Sequence, residues 1–249
     1  MGSFGVPITS ATLSEMATYR HRPITQQDKA REAMKLIHAE GKNLKTLEFV
    51  RQLKQRYGSG GSTMVLIYNA TGDRLKLVEE QRQDWLGVMA CEEPPHEFDN
   101  GQWLAYLHAH PTARAYGSEG ARVYRCSNME AFRDPFVTAA ETASQSSSGT
   151  RANLHKVDAA EEGLLLDESA ESVPWGKHQN SAYTQVGEKD YFQAHRNDVK
   201  RSLETTGKIV IHKADDSFTS SISIGGLITS SECIVVLQHK FSPLPDEMS

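Results

Sequence analysis

Cysteine is scarce: Cys91, Cys126 and Cys233 are the three in 249 residues, too few and too scattered for a disulfide framework or a paired-cysteine metal site. Reduced thiols in a cytoplasmic protein are the expectation. Charge of one sign is lacking too, with 27 lysines and arginines against 32 acidic residues and a formal charge of −5. Nucleic-acid binders concentrate basic charge, so that partner class is not expected. No stretch approaches the roughly 18 apolar residues of a spanning helix, and the start lacks the basic and apolar segments of a secretory leader. The sequon Asn69-Ala70-Thr71 then reads as a turn rather than a glycosylation site.

What is present is strand pattern. Thr63 to Asn69 is an apolar, β-branched run that cannot be exposed on both faces, and Arg74 to Val78 alternates with Leu75 and Leu77 on one side. With Ala70 to Asp73 between them, the two arms predict a hairpin. Gln102 to His110 and Gly120 to Arg125 predict further strands of the same sheet system. Later strands are expected at Ser181 to Val186, Lys208 to His212, Ser217 to Ile224 and Cys233 to Gln238, with Gly225-Gly226 at a turn or bulge.

Helical pattern is confined to the start and to one late segment. Thr12 to Glu15 and Thr25 to Asp28 have the spacing of capping boxes. Ala30, Ala33, Met34 and Ile37 follow at helical intervals up to Gly41, and Leu44, Leu47, Val50 and Leu53 line one side of a second helix that closes at Gly58. His195 to Leu203 predicts a late helix. Gly58 to Ser62 is a hinge; it precedes a strand and lacks the lysine of a phosphate loop, so no nucleotide or other cofactor is expected.

These patterns predict a mainly β chain with an N-terminal helical lead, an α+β arrangement built on a β-sandwich. The lead covers 1–61 and packs on the sandwich, whose core is 62–137 and 173–241. The tract 138–172, rich in Ala, Ser and Glu, is expected to be disordered or loosely ordered.

Several segments, in order, are similar to the plant 23 kDa jasmonate-induced protein family: Phe4 to Thr9, Ile24 to Ala30, Leu66 to Asp73, Asp84-Trp85, Asn100 to Trp103 and Val123-Tyr124, then Trp175, Tyr183, Leu203-Glu204 and Ser223 to Gly226. The tract after Cys126 departs from the compact, tryptophan-bearing segment of that family. The resemblance implies a jasmonate-induced plant protein of defence and stress responses, and membership alone fixes no biochemical activity. The strand pattern also resembles actinoporin and fungal-lectin sandwiches, a likeness of fold that does not fix function.

Three sets of residues are candidates for a site. Trp85 and Tyr116 are expected in loops, where an aromatic face can stack on a sugar ring or meet a lipid headgroup, whereas Trp103 alternates with Ala105 and Leu107 and should face inward. His108 and His110 lie two apart on a strand, which sends both rings to one face, but no third ligand sits at metal spacing. Cys91, His96 and Asp99 hold the ingredients of nucleophilic catalysis within one loop. The favoured expectation is non-enzymatic binding of a carbohydrate or lipid headgroup through Trp85, Tyr116, His108 and His110. The alternatives are an enzyme on a small plant metabolite, through the Cys91 loop or the histidine pair, and a protein-interaction module whose polar tract folds on a partner.

Overall fold

The computed structural model describes residues 2–79, 82–110, 118–126, 136–142, 180–186, 191–206, 210–214, 218–227 and 230–240. Two β-sheets stack face to face. Sheet A holds β1 (Ser3–Phe4), β2 (Ser62–Ala70), β5 (Val88–Ala90), β7 (Trp103–Ala109), β11 (Val210–Ala214), β12 (Phe218–Leu227) and β13 (Ser230–His239), in the order β1-β7-β2-β13-β12-β11 with β5 also on β7. Sheet B holds β3 (Leu75–Leu77), β4 (Gln83–Leu86), β6 (Glu97–Phe98), β8 (Ser118–Cys126), β9 (Phe136–Thr142) and β10 (Ser181–Gln185), in the order β10-β9-β8-β3-β6 with β4 on β8. The described pairings are antiparallel except β13 on β2, which run parallel. Mainly β with a helical lead, as a sandwich, is therefore what the chain forms.

The lead covers the outer face of sheet A. Helices α1 (Ser10–Ser14), α2 (Gln26–Lys35) and α3 (Lys42–Tyr57) precede the sheet, and α4 (Tyr191–Thr206) packs on β9 and β10. Among the described residues no helix is long and apolar enough to cross a membrane. Strand β2 shows the layering: Val65 and Ile67 join the core between the sheets, while Met64, Leu66 and Tyr68 join a second core beneath the helices. β7 divides likewise, with Leu104 and Tyr106 towards sheet B and Trp103, Ala105 and Leu107 towards the helices. Trp103 is buried as expected, its indole donating to the Ile37 carbonyl at 3.0 Å.

Caps explain where the helices begin. Thr25 accepts from the Asp28 amide at 3.1 Å and Asp28 accepts from the Thr25 amide at 3.0 Å, the reciprocal box that the sequence predicts. The earlier helix starts ahead of the predicted Thr12 box, because Thr9 caps it through the Thr12 amide.

Three predicted details are corrected. The Ala70 to Asp73 turn does not close a hairpin, since β2 belongs to sheet A and β3 to sheet B. Asn69 shapes it as an arch: its side chain accepts from the Thr71 amide at 3.0 Å and donates to the carbonyls of Asp73 and Phe98. Gly72 has φ +80 there, and a Cβ on it would meet the Gln26 carbonyl at 2.1 Å, so glycine is required. Gly225 and Gly226 form no turn; they pair in register with Glu232 and Ser231 inside β12. Strand β9 reaches Thr142 and so takes 138–142, the start of the tract expected to be loose, into sheet B; the rest of that tract lies outside the described residues.

Helix α3 is also rotated from its predicted face. Leu44 is 64% exposed and Leu47 only partly buried, whereas Lys42, Thr46, Val50 and Leu53 are buried. Polar groups set this phase, because Lys42 Nζ donates to the Gly101 carbonyl at 2.7 Å and to the Tyr68 hydroxyl at 3.2 Å. Replacing Leu53 by Ala should cost about 2–5 kcal/mol in denaturant unfolding, and replacing Leu44 by Ala should stay within about 0.5 kcal/mol.

Burial pushes the Lys42 amine from 10.5 down to about 8, against a weaker upward pull from Glu40. The unfolded chain then holds the extra proton, so the contribution of Lys42 to stability rises with pH from about 8 towards 10, by at most about 1.4 kcal/mol per pH unit. The buried thiols of Cys126 and Cys233, pushed by burial from 9.0 up to about 12, act the other way from about 9, and the buried Tyr68, raised from 10.0, does so above that. Equilibrium unfolding of the wild-type chain and Lys42→Met, compared at each pH, isolates the Lys42 contribution: the stability difference between them should shift in favour of the wild type across about 8 to 10.

Candidate functional site

Residues 83–90 pass from one sheet to the other. β4 pairs with β8 of sheet B through Gln83↔Ala121 and Asp84↔Gly120, and β5 pairs with β7 of sheet A through Val88↔Ala109 and Met89↔His108. Gly87 makes the crossing at φ +104, where a Cβ would lie 2.7 Å from the Ala109 carbonyl oxygen. The crossover leaves Leu86 40% and Val88 52% exposed, side by side in sequence at the rim of the sandwich. Trp85 is therefore on a strand and not in a loop. It is half-buried against the core, with Lys200 of α4 5.9 Å from its ring centroid.

Beneath the crossover lies a polar network in which Arg122 and His108 are buried and Asp84 and Arg82 reach partly to solvent. Asp84 Oδ1 accepts from Arg122 Nη2 at 2.6 Å and lies 3.1 Å from His108 Nε2, while Asp84 Oδ2 accepts from Arg82 Nε at 3.0 Å. Arg122 is 2% exposed and also donates to the carbonyls of Gln83 and Ala121. Its guanidinium stands 5.8 Å from the centre of the Tyr106 ring, and Arg82 reaches Glu93 at 3.2 Å. Nearby, Thr63 Oγ1 and Ser118 Oγ are 2.8 Å apart and join the two sheets. Burial works against the Asp84 carboxylate, but the His108 hydrogen bond and the Arg122 charge overcome it and hold the carboxyl well below its usual range. Burial pulls His108 down from 6.5, with Asp84 opposing.

Of the predicted residues, the structure brings Trp85 and His108 to this region. His108 is spent on Asp84, and His110 lies past the end of β7, its carbonyl accepting from the Tyr57 hydroxyl. The two histidines thus form no metal pair, because the strand stops between them. Among the described residues no three histidine, cysteine or acidic side chains are grouped to hold a metal. Tyr116 lies outside the described residues.

The structure does not bring the three candidates of the Cys91 loop together. Cys91 donates to the Leu53 carbonyl, His96 pairs with Glu79 at 2.8 Å, and Asp99 pairs with Arg74 at 2.7 Å, so each member faces a different partner. Sequence reasoning passed over Asp84, Leu86, Val88 and Arg122. A glycine between two apolar residues, directly after a polar and aromatic pair, was the available signal for a strand changing sheets. Replacing Asp84 by Ala should take from buried Arg122 and His108 the carboxylate they share and cost about 1–3 kcal/mol by thermal or chemical unfolding.

The comparisons with known proteins agree with this layout. Over 124 residues, 50% of this chain, the sequence is 45% identical to a 23 kDa jasmonate-induced protein of Hordeum vulgare, and the match spans 58% of that relative's length. This bears out the resemblance drawn from the Leu66 and Asn100 segments. A crystal structure of the lipid-binding protein Nakanori shares the fold, with a TM-score of 0.72 over 95% of this chain and 99% of that one, at 18% identity. Residues 4–143, more than half of the chain and the strands from β2 to β9, match the Nakanori-like protein family, and the chain belongs to that family.

Proposed function

We propose that this chain is a non-enzymatic, stress-induced binding protein that engages lipid headgroups at a membrane surface through the sheet crossover. The observation that carries this is the exposure of Leu86 and Val88 on either side of Gly87, next to the Asp84 hydrogen bonds to Arg122 and His108 that tie β4 in place. Apolar side chains presented at a rim suit the boundary between headgroups and acyl chains, where Trp85 supplies an amphipathic ring and Lys200 a cation beside it. The lipid-binding description of Nakanori and the jasmonate-induced relative support the same reading. A carbohydrate ligand would need an open ring face, and Lys200 stands over the Trp85 ring.

The test is sedimentation with vesicles of graded composition, run beside a glycan array. Leu86→Ser and Val88→Ser should each weaken vesicle binding about tenfold, the equivalent of losing most of one buried aliphatic side chain, with the unfolding midpoint nearly unchanged. Binding to glycans with none to any vesicle would replace the lipid reading with the carbohydrate one. Equal vesicle binding by the wild-type chain and both variants would remove the crossover as the site.

A further inference from the structure

We propose that His108 is a proton-operated latch on the sheet crossover: while neutral it holds 83–90 closed across the two sheets, and its protonation in mildly acid solution releases that segment with Leu86 and Val88. This regulates the site assigned above and rests on that reading for its effect on lipid binding.

The geometry makes His108 the keystone of the crossing. A Cβ on Gly87 would come within 3.2 Å of its Cε1, and one on Gly120 within 3.1 Å of its Nε2, so the ring is packed against both backbones that the crossover joins. Its side-chain hydrogen bond reaches Asp84, on the strand that must move if the crossing opens. His108 is 4% exposed, so a charged ring would have to be hydrated by opening.

The surrounding charges decide the sign. From β4 it faces Asp84, whose second oxygen is held by Arg82, and Arg82 in turn meets Glu93. From β8 it faces Arg122, with buried Glu119 next to Gly120 on the same strand. The positions paired with it on β5 and β2 are Met89 and Thr63, which carry no charge. Asp84 is already shared by two arginines, so a third cation gains little from it, and burial outweighs its pull on His108. Asp84, held well below the usual carboxylate range, stays ionised in this window, so within the Asp84–His108 pair it is His108 that titrates. Its folded-state value lies below 6.5, so the closed form is favoured above that pH and loses ground as pH falls through it.

Amide hydrogen exchange on the full chain without lipid, compared between about pH 7.5 and about pH 5 after correction for intrinsic rates, tests the latch directly. Amides of 83–90 should open about tenfold more often at the lower pH while those of central β2 do not change. His108→Gln, which can still donate to Asp84, should abolish the difference. Should that variant fail to fold, NMR titration of His108 in the unmodified chain decides: an ordinary histidine titration with no response from 83–90 overturns the latch. Vesicle sedimentation at the same two pH values separates the two claims. Opening at low pH with no vesicle binding at either pH leaves the latch standing and removes the membrane reading. Equal vesicle binding with unchanged exchange does the reverse.

Discussion

Strand β2 is buried on both faces, and this constraint organises the rest of the chain. A strand with Val65 and Ile67 on one side and Met64, Leu66 and Tyr68 on the other needs two apolar covers. Sheet B supplies one and the helical lead the other. The short β1 strand pairs with β7 at Trp103 and Leu104. β7 is covered along its other edge by β1 and β5, which removes an open strand edge next to the helices.

The covers must be registered, and polar side chains do that work where apolar packing has no direction. Asn100 donates to the carbonyls of Ile8 and Lys29 and accepts from the Gly72 amide at 2.9 Å, so one side chain joins the lead, helix α2 and the arch between the sheets. Asn69 completes the knot by accepting from Gly101 at 2.7 Å through its backbone. Of the points where the chain changes sheets, the arch after β2 and the crossing at Gly87 differ in how they are held. The first is sealed beneath α2. The second is held from inside by Asp84, Arg122 and His108 and shows apolar side chains outside.

Much of this layering was legible in the sequence and the connections were not. The alternation of Leu75 and Leu77 about Lys76 marked a half-buried strand, and the run of β2 marked one that cannot be exposed on both faces, of which the structure covers both. Period alone, however, does not say which sheet a strand joins. The arch at Thr71 to Asp73 has the residues of a hairpin turn, and only the contact of Gly72 with Gln26 reveals its other use. The face of α3 was misjudged for a related reason. Counting apolar residues favours Leu44, whereas Lys42 and Thr46, polar by composition, are the buried ones because Gly101, Tyr68 and the helix backbone satisfy them. Trp85 was misplaced because a glycine after it suggested a loop rather than a crossing.

The Asp84 network also bears on why the crossover carries charged side chains. Burying an ion pair seldom stabilises a fold more than well-packed apolar residues would, and Arg122 sits in a core that could have been filled by leucine. What the ions supply instead is direction. Arg122 ties Asp84 to the carbonyls of Gln83 and Ala121, and His108 ties it to β7, so β4 is fixed from two sheets at the one place where its pairing shifts register. An apolar core would hold this segment in but would not fix where Leu86 and Val88 emerge. Directional bonds fix that, and because one of them runs through an imidazole, the same network that positions the apolar rim also makes its position sensitive to protons.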